Sequence, residues 1–127
     1  MLMRTLSHAT VVVYTGMLLA GCMSTSVTRV GSETFPPLPE TAEVLVFSND
    51  GEIHTTYIPL GIVHHNAEGV MTSYTLDDVM GALKSKAREI GANALIIDQT
   101  IPMGAYGRGL NVRARAVRIP DKLRKAQ

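Results

Sequence analysis

Residues 75–100, TLDDVMGALKSKAREIGANALIIDQT, decide the fold. The apolar residues of their first part recur at helical spacing along one face: Leu76, Val79, Met80, Leu83, Ala87 and Ile90. Thr75 and Asp78 match the sequence pattern of a capping box, and Gly91 suits the left-handed position after a helix. Residues 93–100 then predict a mostly buried strand. Because the connection is only Gly91-Ala92, this strand should run antiparallel to the helix and pack against it.

Three further strands are predicted on either side of this unit, at residues 43–47, 57–65 and 110–119. Alternation along the second puts Ile58, Leu60, Ile62 and His64 on one face, and Gly61 indicates a bulge or a close backbone approach. The element order is β-β-α-β-β. We therefore predict an α+β domain at 42–120 in which a single amphipathic helix packs on a small, mostly antiparallel four-stranded sheet. A basic tail follows at 121–127.

Residues 1–21 have the pattern of a removable signal peptide, with Arg4 before an apolar run at 9–20. At about 1.5 Å per residue, that run is too short to cross a hydrocarbon core of about 30 Å. Leu19-Ala20-Gly21-Cys22 resembles the lipobox of bacterial lipoproteins. The resemblance implies signal-peptidase recognition at Leu19, Ala20 and Gly21, and lipidation of Cys22. An ordinary secretory signal with an incidental cysteine, or a hydrophobic core strand, is the alternative; lipidation better explains a lone thiol in an exported chain.

Processing before Cys22 would leave residues 22–127, which is one domain's worth of chain. The chain has 12 basic and 11 acidic side chains, and the loss of Arg4 brings the net charge of the mature chain close to zero. Nucleic acid is therefore not an expected partner. Residues 22–41 are rich in small polar residues and proline, which predicts a lipidated tether with a mean reach of about 20–25 Å. The alternative is that its last six residues pack on the domain through Phe35 and Leu38.

The helix–Gly–Ala–Asn–Ala–strand sequence at 83–96 is similar to a signature of small bacterial domains, the YbjQ-like proteins and the RcsF stress-sensor lipoproteins among them. Residues 57–63 and 109–117 resemble two strands of the same group, so the resemblance covers roughly 43–119. It implies an uncharacterised envelope lipoprotein of this group. Because RcsF is held by disulfides and this chain has one cysteine, the sensor role does not transfer directly.

His54, His64 and His65 are the chemically most pointed cluster, since neutral imidazole binds zinc and other divalent metals. Adjacent residues of a strand point to opposite faces, so we select His54 and His64 as the metal candidates, with Glu52 or Glu68 able to join them. The alternative is that these histidines are solvent-facing residues at strand ends.

The glycine-rich loop at 104–109 carries Tyr106 and Arg108, which are candidate contact residues for a partner. A strand rather than a helix follows this loop, so it does not match a phosphate-binding loop. Asp77 and Asp78 are explained as partners of the helix N-terminus rather than as a catalytic pair. We therefore predict that the protein is not an enzyme and has no cofactor, unless the histidines bind a metal.

These observations predict a membrane-anchored envelope lipoprotein that acts through contacts with an envelope protein, with self-association left open. Met23 directly follows the lipidation site. An aspartate at this position would favour retention in the inner membrane of a Gram-negative cell. The outer membrane is therefore the expected location in such a host. The alternative function is a metal- or small-ligand-binding module that uses His54 and His64.

Overall fold

A computed structural model describes residues 23–69, 72–104 and 106–124. Five strands and one long helix make up the fold. In chain order they are β1 (Met23–Arg29), β2 (Leu45–Phe47), β3 (Ile58–Ala67), α1 (Leu76–Glu89), β4 (Ala94–Met103) and β5 (Gly109–Arg118). A 3-10 turn (Asp50–Glu52) precedes β3, and a short helix α2 (Asp121–Arg124) follows β5. No helix in the described ranges is long and apolar enough to cross a membrane.

The strands form one five-stranded sheet in the order β1-β3-β5-β4-β2. All neighbouring pairs are antiparallel except β2 and β4, which run parallel. The predicted four-stranded sheet with the element order β-β-α-β-β is therefore wrong, because the sheet has five strands and is mixed. The additional strand, β1, lies within residues 22–41, for which we predicted a tether. β1 pairs along its whole length with β3 through its backbone. The serine and threonine side chains of β1 give no sequence signal for this pairing.

Helix α1 begins where its capping residues place it. The backbone N–H of Thr75 donates to Asp78 Oδ2 at 2.7 Å, and the Thr75 hydroxyl donates to the same atom at 2.9 Å. These two bonds, the backbone one first, hold the pKa of Asp78 below its usual value. At the other end Gly91 has φ +79, so the chain leaves the helix through a left-handed residue.

Apolar side chains fill both faces of the sheet. On the face that packs against α1, here called the helix side, Val79, Leu83 and Ala87 meet the sheet. The sheet contributes buried residues of the three strands β3, β4 and β5, Val63, Leu95, Val112, Ala114 and Ala116 among them. On the opposite face, here called the open side, a smaller cluster lies near β2. It consists of Phe47, Ile53, Ala94, Ile96, Val117 and Ile119, and Leu123 of α2 packs against it.

The segment between β1 and β2 also lies against the domain. Phe35 packs on the main core, and the N–H of Leu38 donates to the carbonyl of Arg88 at 2.8 Å. A Cβ atom on Gly91 would lie 2.6 Å from Phe35 Cβ and 2.8 Å from the carbonyl oxygen of Pro36. This approach of backbone to backbone requires glycine at position 91.

Asn93 joins the start of β4 to the end of β5. Its side-chain Nδ2 donates to the carbonyl oxygen of Ile119 at 2.7 Å, and its Oδ1 accepts from the Ile119 N–H at 2.8 Å. Both residues are buried. The Gly–Ala–Asn–Ala signature therefore encodes the geometry of a helix–strand junction, which is a property of the fold rather than of a binding site.

Candidate functional site

The predicted lipidation site lies at the edge of the described structure. Leu19, Ala20, Gly21 and Cys22 fall outside the described residues, so nothing here tests their roles. The described chain starts at Met23, which is the first residue of β1 and pairs with Ala67 of β3. Whatever is attached to Cys22 is therefore one residue away from the sheet.

The two histidines proposed as metal ligands are both exposed. His54 follows the 3-10 turn, and His64 lies on the open side of β3 with Ser26 and Arg113 as its two cross-strand neighbours. The guanidinium of Arg113 would repel a cation bound to His64. No group of three His, Cys, Asp or Glu side chains in the described residues is placed to hold a metal ion. Metal binding at His54 and His64 stays a prediction without structural support.

His65, which belongs to the predicted histidine cluster but was not selected as a metal ligand, is the buried histidine. Only 1% of it is exposed, on the helix side of β3. Its Nδ1 lies 2.6 Å from the hydroxyl oxygen of Thr25 in β1, and its Nε2 is buried without a hydrogen-bond partner among the described residues. Burial lowers the pKa of His65, because desolvation penalises the charged ring. His65 therefore ties the edge strand β1 to the sheet in its neutral form.

The sequence misjudged this strand because of a bulge. The register between β3 and β5 shifts between Pro59 and Gly61, so Leu60 and Val63 both face the main core. The bulge or close approach predicted at Gly61 is confirmed, since a Cβ there would lie 2.9 Å from both Ile90 Cδ1 and the carbonyl oxygen of Thr28. Strict alternation placed Leu60 on the same face as His64, and the bulge separates them.

A charged cluster on the open side connects the 3-10 turn to the sheet. The Nη2 of Arg115 lies 2.6 Å from Asp50 Oδ1 and 2.8 Å from Asp98 Oδ1. The hydrogen bonds that Arg115 donates to Asp98, and then the one to Asp50, raise the pKa of Arg115 above its ordinary value. The guanidinium therefore stays charged, and the cluster positions a turn rather than supplying a titrating group.

A cavity of about 390 Å³ opens at one end of the sheet. Its lining comes from the residues that follow β3, from the β4–β5 loop and from the strand ends: Asn66, Ala67, Glu68, Gly69, Met103, Gly104, Tyr106 and Gly109. Tyr106 is 85% exposed, and the guanidinium carbon of Arg108 lies 5.5 Å from the centre of its ring. The structure thus brings the two predicted contact residues together beside this cavity.

Comparison with known proteins gives a likeness in fold. No protein-family model matches the chain, and no curated protein matches it. A solved structure, the crystal structure of a Francisella virulence factor, FvfA, in its orthorhombic form, is similar with a TM-score of 0.51. The two are 14% identical, and the match covers 74% of this chain and 96% of that one. At this identity the likeness concerns the architecture alone.

Proposed function

We propose that this protein is a lipid-anchored envelope lipoprotein that acts through protein–protein contacts and has no enzymatic activity. The observation that carries the proposal is the sequence at 1–22, where an apolar run of signal-peptide length ends in Leu19-Ala20-Gly21-Cys22 and supplies the only cysteine of the chain. Met23 in the next position supports the outer membrane as its location in a Gram-negative host. The signature at 83–96 supports a domain of the YbjQ-like and RcsF-like group.

The absence of enzymatic activity is supported by the use of the buried polar side chains. Among the described residues these are His65 and Asn93. His65 bonds to Thr25, and Asn93 bonds to both backbone groups of Ile119. Each therefore has a role in holding strands together.

A contact with a protein partner is supported by the open side of the sheet. The register places Ser26, His64, Arg113 and Gln99 in one row across β1, β3, β5 and β4, and all four are exposed. Arginine and tyrosine are enriched where interfaces derive most of their affinity. Arg113, in this row, is the position at which we expect a partner to be reached, and Tyr106, beside the cavity, is the alternative position.

Lipidation is tested by producing the full chain in a Gram-negative host and measuring the intact mass of the protein in the membrane fraction. We expect a chain that starts at Cys22 and carries the mass of a diacylglyceryl group, with or without a further amide-linked acyl chain. A Cys22→Ser variant is the matched control, and it should lack the added mass and leave the membrane fraction. An unacylated wild-type protein would contradict the proposal.

Protein contact is tested by placing a photo-crosslinking amino acid at Tyr106 or at Arg113 in intact cells. We expect an envelope protein to be captured from at least one of the two positions and not from Lys122, an exposed residue of α2. A crosslink between two copies of the chain would instead indicate self-association. Capture of nothing from Tyr106 and Arg113 would refute both contact sites.

A further inference from the structure

The position of β1 determines where a lipid anchor would hold the domain. Consecutive Cα atoms are about 3.8 Å apart, so an acylated Cys22 would lie that far from Met23. Met23 is already paired with Ala67 in the sheet. The flexible tether predicted from the sequence would have allowed about 20–25 Å of free reach. With β1 in the sheet, the anchor leads directly into one end of the domain.

Of the five large hydrophobic residues that are exposed in the described part of the chain, four lie at that end of the sheet. Met23, Ile101, Met103 and Tyr106 are large hydrophobic residues with exposed surface. Met23 pairs with Ala67, Ala67 with Leu110 and Leu110 with Pro102, so the register brings them to the same end. The apolar cavity opens there as well.

The opposite region provides a contrast. Val46, also an exposed hydrophobic residue, lies in β2 and pairs with Leu95. Leu95 precedes Met103 by eight positions along β4, which corresponds to about 26 Å at about 3.3 Å per residue. Val46 is therefore remote from the end at which the anchor would enter.

We propose that the end of the domain formed by Met23, Ile101, Met103 and Tyr106, here called the anchor end, rests on the lipid surface to which Cys22 is attached. This inference depends on the lipidation proposed above. Tyrosine is suited to the interface because its ring is apolar while its hydroxyl can stay with the headgroups. Arg108 stacks on Tyr106 and can meet lipid phosphates.

A lipid surface fits this end better than a protein partner does. An anchor one residue away delivers the anchor end to the bilayer each time the protein is anchored, and a protein partner would have to displace the lipid. Glu68, exposed at the same end, offsets the charge of Arg108, so anionic lipid is not required. Docking would fix the orientation of the domain relative to the membrane. The open side, with Arg113, would then point parallel to the membrane and stay accessible to a partner.

The chain has no tryptophan, so a single tryptophan reports its surroundings without background. The test places one at the anchor end in Tyr106→Trp, where the exposed ring leaves room, and one in Val46→Trp as the matched control. Each full-length precursor is processed in a Gram-negative host, purified, and reconstituted into phosphatidylcholine vesicles with ordinary or brominated acyl chains. Intact mass establishes acylation for each sample.

We expect brominated lipid to quench the fluorescence of Tyr106→Trp at least twofold, with a blue-shifted emission, and to leave Val46→Trp unchanged. Adding Met103→Glu to Tyr106→Trp should reduce the quenching, because a carboxylate disfavours the apolar contact. Equal quenching at the two positions, or quenching that Met103→Glu does not reduce, would overturn the docking while an acylated mass upholds the lipoprotein proposal. A blue shift without quenching would indicate contact with another copy and would also overturn it. An unacylated mass would overturn both proposals.

Discussion

The replacement of Asn93 by alanine should be among the most damaging single changes in this protein. Asn93 is 1% exposed and makes two hydrogen bonds, of 2.7 and 2.8 Å, to the carbonyl and N–H of Ile119. Alanine would leave both backbone groups of Ile119 buried and unpaired. Each such group costs about 1–3 kcal/mol, so the free energy of unfolding should fall by about 2–6 kcal/mol. For a domain of about 100 residues this lowers Tm by at least about 8 °C.

The assay is urea unfolding of the purified protein followed by circular dichroism, with a thermal melt as a second measurement. Asn111→Ala is the matched control, because it makes the same chemical change at a half-exposed position near the start of β5. We expect that control to change the free energy of unfolding by less than about 1 kcal/mol. If Asn93→Ala stayed within about 0.5 kcal/mol of the wild type, the junction between β4 and β5 would not depend on this side chain, and our account of the signature would be refuted.

Gly91→Ala should lower the free energy of unfolding by about 1–2 kcal/mol because of its positive φ, and further because the new Cβ clashes with Phe35. Gly104→Ala, with φ +83 and no atom within 4 Å of the new Cβ, should lose only the part due to φ. Equal urea midpoints of the two variants would contradict this. For His65, burial lowers the folded pKa, so the unfolded state binds more protons below about pH 6.5. Stability should fall as the pH drops through that value, and His65→Gln should flatten the fall; parallel profiles in pH-dependent urea melts would exclude His65 as the cause. Arg115→Gln should lose about 1 kcal/mol or less, and the loss should shrink in 0.5 M salt; a salt-independent loss would indicate packing instead.

The parts of the fold that the sequence predicts well are those with local signals. Helix α1 has its apolar stripe, its capping residues and its terminal glycine within 17 consecutive residues, and it spans Leu76–Glu89. The strand after it follows from an apolar run that begins at a fixed distance from Gly91. These elements are determined by residues that are close together in the sequence, so one sequence is enough to predict where they lie.

The strands that the sequence misses depend on residues far away. β1 has half-buried residues only at Thr25 and Val27, so its hydrophobic pattern is too weak to distinguish a strand from a tether. It is held by backbone pairing with β3 and by the bond between Thr25 and His65, about forty positions later. The parallel pairing of β2 with β4 likewise has no local signature, because the direction of a strand is set by the path of the intervening chain.

The candidate site shows the same division. Tyr106 and Arg108 are neighbours in the sequence, and the structure brings them into contact. The sequence does not show which of His64 and His65 is buried, because a bulge near Leu60 changes which residues of β3 face the core. A half-buried strand that contains a glycine and a proline therefore needs its register before its side chains can be assigned to faces.

The last strand in the sequence is the middle strand of the sheet, and this has a consequence for how the protein folds. β5 (Gly109–Arg118) lies between β3 and β4 and is the only connection between the β1–β3 side and the β4–β2 side of the sheet among the described residues. Without β5, the β1–β3 pair and the β4–β2 pair would have no strand to join them into one sheet. Most strand pairings join distant parts of the chain, which is typical of slow folding. We therefore expect the two strand pairs to join into one sheet only after β5 has been synthesised.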